Sequence, residues 1–327
     1  MTVVVTGASG HIGANLVRTL VGAGRQVRVL VRQQERALEG VECERVTGDV
    51  LDPGSVDRLL QGADVVYHLA AKISLADRDD ECSRVNVEGV RNVTDACLRH
   101  GVRRFIHFSS IHAFSPEPVH GIVDELRALN VEGDLVPVYD RSKAAGQRIV
   151  LSAVSRGLDA VILHPAGVLG PFDFSPSRMG RVLLALAHGR LPGLVDGGFS
   201  WVDVRDVVSA ALAAEQKGRR GEGYLLSGHW CSVREIADIA AEVTGRRPPI
   251  LSAPMWLARA VAPLAMWGAD RLRVEPLFTP ASLHALRNHR LTSHEKAQRE
   301  LDFNPRPTRE TIADSYAWFR EMGMLRR

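Results

Sequence analysis

The chain has 327 residues, 45% of them hydrophobic, enough for one large domain or two coupled ones around a buried core. Its 41 Lys and Arg nearly balance 38 Asp and Glu, and no basic run forms a stripe, which argues against nucleic acid as a partner. Four scattered cysteines (Cys43, Cys82, Cys97, Cys231) without a C-x-x-C pair suggest neither a zinc site nor a disulfide framework; no metal is expected, and reduced thiols fit a cytoplasmic protein.

The first strand candidate, Thr2–Thr6, opens the chain without the basic segment and long apolar run of a secretory leader. It runs into T-G-A-S-G-H-I-G (Thr6–Gly13) and the helical pattern His11–Val21. In such a loop Gly7 permits the tight turn, Gly10 lets the backbone approach a pyrophosphate, and Gly13 allows close helix–strand packing. The helix start adds free N–H groups and a partial positive charge. Strand, loop and helix together read as a nucleotide site that includes Ser9, His11 and Ile12.

The second strand, Gln26–Val31, ends in V-L-V-R. An NAD site usually carries an acidic residue there for the ribose 2′-OH. Arg32 stands there instead, and a guanidinium suits a 2′-phosphate, with Arg36 as a second charge and Ser9 as a hydroxyl. NADP is therefore expected over NAD; the alternative is a solvated strand-end charge.

A third strand, Glu42–Thr47, leads to G-D-V, where Asp49 accepts from the adenine amino group or simply ends the turn, and Val50 follows. After the helical Ser55–Leu60, the fourth strand Val65–Leu69 carries H-L-A-A. Leu69, Ala70 and Ala71 let a cofactor lie against the backbone, whereas His68 reads as a packed strand-end histidine.

A helical pattern over Cys82–Arg99 precedes the fifth strand, Phe105–Phe108, which ends F-S-S-I-H. Strand C-termini of open parallel sheets face the ligand crevice, so Ser110 is the candidate to hold a substrate oxygen. Ser109 is the alternative and a cofactor neighbour, since one residue along a strand turns the side chain over. His112 reads as a loop or specificity residue.

The helix Val138–Ser155 opens with Tyr139-Asp140-Arg141-Ser142-Lys143, and the i, i+4 spacing puts phenol and ammonium on one face. Acid–base work near neutrality asks for a phenol lowered by about three units, or about 4 kcal/mol. A cation some 4 Å away supplies about that much at an effective dielectric near 20. Lys143 can also bond the ribose hydroxyls. A sixth strand follows at Ala160–Leu163 and a seventh at Tyr224–Leu226. Strand–helix alternation with nearly continuous apolar strands implies a parallel sheet covered on both faces.

Beyond Pro165 the helical patterns are Met179–His188, Trp201–Glu215, Ser232–Val243 and patches after Pro254. The apolar stretch Ala253–Ala269 is broken by Arg259 and Pro263 and falls short of the roughly 20 apolar residues of a membrane span. It reads as buried or partner-facing helix, with peripheral membrane contact or a greasy substrate entrance as alternatives.

T-G-A-S-G-H-I-G, G-D-V, H-L-A-A, F-S-S and Y-D-R-S-K together resemble the extended short-chain dehydrogenase/reductase superfamily over essentially the whole chain. V-L-V-R and G-P-F-D-F-S-P-S-R-M-G (Gly170–Gly180) are similar to its dihydroflavonol-4-reductase-like branch. W-V-D-V-R-D-V (Trp201–Val207) and the tail Arg306–Phe319 are further matches, while His164 stands where relatives often carry Arg. The resemblance implies a catalytic Ser110–Tyr139–Lys143, and a cofactor shell that includes Arg32, Asp49, Val50, Pro165, Val168 and Ser177.

It further implies an α/β fold: a Rossmann doubly wound parallel sheet of about seven strands with a smaller, mostly helical C-terminal substrate lobe. The domains expected are 1–166 plus 200–228 for NADP and 167–199 plus 229–327 for substrate. A homodimer would form on Cys82–Arg99 and Val138–Ser155. The activity expected is reduction of a carbonyl, or oxidation of an alcohol. Alternatives are a nucleotide-sugar epimerase or dehydratase using Arg178, Arg181 and Arg205, a hydroxysteroid-dehydrogenase-like enzyme, and a non-catalytic NADP sensor. Phe114, Phe172, Phe174 and Trp201 suggest an apolar or aromatic ligand, or ordinary packing.

Overall fold

Alternate residues of each central strand feed two different cores, which is why these strands read as unbroken apolar runs. Val3, Val5, Val29, Val31, Tyr67, Ile106 and Phe108 point to one side. Val4, Leu30, Val66 and Phe105 point to the other. The structure, a computed structural model, describes residues 1–33, 36–74, 76, 78–133, 135–191, 193–258, 260, 286 and 291–325.

Among the described residues of the first half the strands are β1 (Thr2–Thr6), β2 (Gln26–Val31), β3 (Glu44–Thr47), β4 (Val65–His68), β5 (Arg104–Phe108) and β6 (Ala160–Pro165). Three more, β7 (Gly167–Leu169), β8 (Leu194–Val195) and β9 (Gly198–Asp203), lie outside that sheet, and β10 (Gly223–Leu226) returns to its edge beside β6. The seven-stranded order is β10-β6-β5-β4-β1-β2-β3, all parallel. Strand order reverses between β1 and β4, so the loop after β1 opens at the switch point, where ligands of such sheets bind.

One face of the sheet is covered by α1 (His11–Gly22), α7 (Val204–Lys217) and α9 (Glu295–Leu301), through Leu16, Leu20, Val207, Ala211, Ala297 and Leu301. The other is covered by α2 (Pro53–Leu60), α4 (Val90–Arg99) and α5 (Val138–Ser155). A third core joins α6 (Arg178–Ala187), α8 (Val233–Thr244) and α10 (Thr308–Glu321) to β9, through Leu183, Phe199, Ile236 and Tyr316. There β7 pairs parallel and β11 (His229–Ser232) antiparallel with β9, and β12 (Ser252–Ala253) pairs with β8.

Two helical expectations are corrected. Trp201–Glu215 is not one helix: Trp201 to Asp203 complete β9, paired with β7, and α7 starts at Val204 with Asp203 as its cap. Cys82–Arg99 is interrupted: α3 (Asp80–Arg84) passes through a π segment, Val85–Gly89, before α4. There Gly146 of α5 comes so close that a Cβ on it would stand 2.5 Å from the Asn86 carbonyl oxygen. Among the described residues no helix is long and apolar enough to cross a membrane. Residues 259 and 261–269 of the apolar stretch lie outside the described residues.

Candidate active site

The loop after β1 is shaped by two contacts that only glycine allows. Gly7 has φ +70°, and a Cβ there would stand 2.6 Å from the Leu69–Ala70 backbone. A Cβ on Gly13 would stand 2.1 Å from the Gly7 carbonyl oxygen. Gly10 differs: its Cβ would meet only that same oxygen, at 3.4 Å, so internal packing does not demand a glycine there. Gly10 caps α1 without a side-chain bond, and the first turn holds no acidic residue, leaving its N–H groups to an anion. These features fit a dinucleotide pyrophosphate.

Around the loop, Ser9 is half-buried, Ile12 packs on the α1 side of the sheet, and His11 Nε2 lies 3.0 Å from the Pro171 carbonyl oxygen. Arg32 directly follows β2 and is exposed, as is Arg36, and neither forms an ion pair with another described residue. Asp49 spends one oxygen on the Leu51 N–H at 2.9 Å, a turn-closing role. Val50 is buried, Leu69 and Ala70 are half-buried, and Ala71 is exposed. Pro165 ends β6 and Val168 sits in β7, whereas the Ser177 hydroxyl caps α6 by accepting from Gly180 N–H at 3.1 Å.

The catalytic candidates meet where β5 ends against the start of α5. Ser109 donates its hydroxyl to Gln147 Oε1 at 2.9 Å, whereas the Ser110 hydroxyl lies on the Tyr139 side and favours ionisation of the phenol. Lys143 is buried, and its Nζ donates to the Phe108 carbonyl oxygen at 2.6 Å. The expectation that Lys143 brings the phenol toward neutrality is not met. Burial pushes Tyr139 up to about 12, the Ser110 hydroxyl offsets part of that, and the charge of Asp140 adds to it. Burial also lowers Lys143, to about 8. The i, i+4 spacing places both groups on one face but does not fix where the ammonium points.

Behind Lys143 lie three buried histidines from neighbouring strands: His68, His107 and His164. His68 Nδ1 meets Thr6 Oγ1 at 2.8 Å, His164 Nε2 meets Gln147 Oε1 at 2.9 Å, and both nitrogens of His107 lack a partner. Burial, with the charge of Lys143, holds His68 and His164 at about 3 and His107 well below its ordinary value. All three are neutral, and His68 is the packed strand-end residue expected.

Sequence reasoning missed two features. Asn86, in the π segment, accepts from Lys72 N–H and donates to Lys72 O and Ser142 Oγ, each at 2.9 Å, tying the chain after β4 to α5. The glycine inside a helix at Gly146 was the available signal. His112 Nδ1 lies 3.5 Å from Asp140 Oδ2, a pair 28 residues apart that no spacing rule exposes. The four aromatic candidates are occupied by packing. Phe114 packs at a tilt on His164, Phe172 and Phe174 pack on Trp318 and under Arg18, and Trp201 packs on Phe199. Phe199, not proposed, is the aromatic that stacks on His112.

Comparison with known proteins matches residues 3–226 to the model of the NAD dependent epimerase/dehydratase family. Sterol demethylase protein B of Methylococcus capsulatus is 39% identical, the match covering 99% of this chain and 100% of that protein. A putative dihydroflavonol 4-reductase of Synechocystis is 31% identical over 98% of this chain and 95% of its own. The solved structure of gox2253 superposes with a TM-score of 0.86 at 30% identity, covering 99% of each chain.

Proposed function

The chain belongs to the NAD dependent epimerase/dehydratase family, within the extended short-chain dehydrogenase/reductases, and from that premise we propose that it is an NADPH-dependent reductase of an apolar ketone or aldehyde. What supports the direction is the placement of Tyr139 beside Ser110, where β5 ends against α5, with burial keeping the phenol protonated. Carbonyl reduction consumes such a proton. Alcohol oxidation would need the phenolate, which burial disfavours.

Ser110 and Tyr139 hold the carbonyl oxygen through their hydroxyls, and Tyr139 gives up its proton as negative charge develops there. Lys143, fixed on the Phe108 carbonyl, supplies a charge beside the ribose hydroxyls and orients the cofactor. Gly7, Gly10, Gly13 and the start of α1 would hold the pyrophosphate, and Arg32 the 2′-phosphate. NADPH, when bound, supplies the hydride. The two relatives named for a sterol and a dihydroflavonol support an apolar substrate.

An epimerase acting on a sugar diphosphate is less well supported, because Arg205 is already bonded to Asp203 and Asp314, at 2.7 Å each. A test is NADPH consumption against a panel of hydrophobic ketones and aldehydes, with cofactor binding followed by fluorescence. Consumption with NADPH in preference to NADH is the expected result. Binding without consumption across the panel would leave a sensor.

The loaded phenol also sets a pH dependence. Oxidation of the product alcohol should rise with pH as phenolate forms. An oxidation rate that is level from pH 7 to 10 would contradict the assigned proton donor.

A further inference from the structure

Tyr139 is followed directly by Asp140, whose side chain is only 12% exposed and whose charge makes the phenol harder to ionise. Facing that carboxylate is His112, two residues past Ser110. Its backbone N–H donates to Ser110 Oγ at 3.2 Å, and its Nδ1 lies 3.5 Å from Asp140 Oδ2. Its ring packs edge-on against Tyr139 at 5.9 Å and nearly parallel to Phe199 of β9 at 5.8 Å. The imidazole is thus held between the proton donor and the opposite wall, and touches both hydroxyl-bearing segments of the site.

We propose that His112, paired with Asp140, is a positioning residue that acts through Tyr139 by cancelling the field of the carboxylate on the phenol. The inference rests on the reading of Tyr139 as proton donor. Burial pushes His112 down, but the charge and hydrogen bond of Asp140 outweigh it and raise it above its ordinary value. While His112 keeps its proton, imidazolium and carboxylate together carry no net charge. When His112 loses its proton, the Asp140 charge is left uncompensated and the phenol holds its proton harder.

Among the described residues, Ser110 and Cys82 of α3, whose thiol burial keeps protonated, also act on Tyr139, and Lys143 lies one turn along the same helix with its ammonium on the Phe108 carbonyl oxygen. Lys143, lowered by burial to about 8, adds its own titration to any pH profile of the site. A pH profile alone would not separate it from that of His112, and a double variant does.

The experiment compares wild type, His112→Gln, Asp140→Asn and the double variant in NADPH-dependent reduction of the most active ketone of the panel. His112→Gln should lower kcat roughly tenfold with little change in KM, as an uncompensated charge beside the phenol would. The double variant should recover most of that loss, because it removes the field itself. Asp140→Asn should hold its rate to higher pH than wild type. A loss through distorted packing would not be repaired by a second substitution, so a double variant no faster than His112→Gln overturns the proposal.

A second readout needs neither substrate nor cofactor. Tyrosinate absorbance is titrated in wild type and Asp140→Asn, with the matching Tyr139→Phe curve subtracted from each. Ionisation of Tyr139 should begin at lower pH in Asp140→Asn, and an unchanged onset also overturns the proposal. If the shift appears while no ketone is reduced, the carboxylate's hold on Tyr139 stands and the reductase reading fails.

Discussion

Arg32 carries the cofactor preference on a single side chain. It stands exposed past the end of β2, where its guanidinium can grip a 2′-phosphate through two charge-assisted bonds. Arg32→Asp should weaken NADPH binding by roughly 100-fold, the worth of a charge-assisted pair turned into repulsion, and leave NADH nearly unaffected. Titration of both cofactors by fluorescence checks it, and equal losses would remove the 2′-phosphate contact. Much at this scale was legible in the sequence: Gly7 and Gly13 occupy positions where the backbone leaves no room for a Cβ. The choice between Ser109 and Ser110 was not, because both lie beyond the last residue of β5, where strand alternation no longer dictates direction. The acidity of Tyr139 was misjudged for a related reason. Spacing says that a lysine shares the helical face, but burial and the Phe108 carbonyl decide what its ammonium does.

Among the elements, β4, β5 and β6 place His68, His107 and His164 on one covered face of the sheet, and all three are neutral there. Their folded values lie below the unfolded one near 6.5, so the unfolded chain binds more protons at acid pH. Stability should therefore fall as pH drops from about 6.5 toward 3, each histidine adding a slope of up to about 1.4 kcal/mol per pH unit. Urea unfolding at pH 7.5 and pH 5 tests this: His107→Leu should flatten the difference, and an unchanged slope would assign it elsewhere. The boundary between β9 and α7 shows why Trp201–Glu215 was misread. Trp201 and Val202 fit either period, and pairing with β7, and for Trp201 also with β11, makes them strand. Asp203, its side chain fully buried, caps α7 by accepting from the Arg205 backbone N–H and accepts two more bonds from the Arg205 guanidinium. Asp203→Ala should cost about 2 to 3 kcal/mol, the loss of a buried pair discounted for the partly exposed arginine. Thermal unfolding would show it as a drop of several degrees.

For the whole molecule, the strand order follows from alternating strands and helices at the right spacing, and seven parallel strands were expected and found. The division into 1–166 plus 200–228 and 167–199 plus 229–327 remains our proposal, as do cytoplasmic residence and a homodimer on Cys82–Arg99 and Val138–Ser155. Arg91, Asp95, Arg148, Ile149, Ser152 and Arg156 line a cavity of about 240 Å³ on the outer face of those helices, next to the exposed Leu151. Leu151→Asp should shift a dimer toward monomer in sedimentation, and an unshifted dimer would move the interface elsewhere. Whether Tyr139 delivers the proton is decided by single turnover of Tyr139→Phe and wild type, each loaded with NADPH. Tyr139→Phe should bind NADPH as wild type does and react about 100-fold or more slowly, as for the loss of a general acid. A variant that binds NADPH and reduces the carbonyl at the wild-type rate would contradict that role.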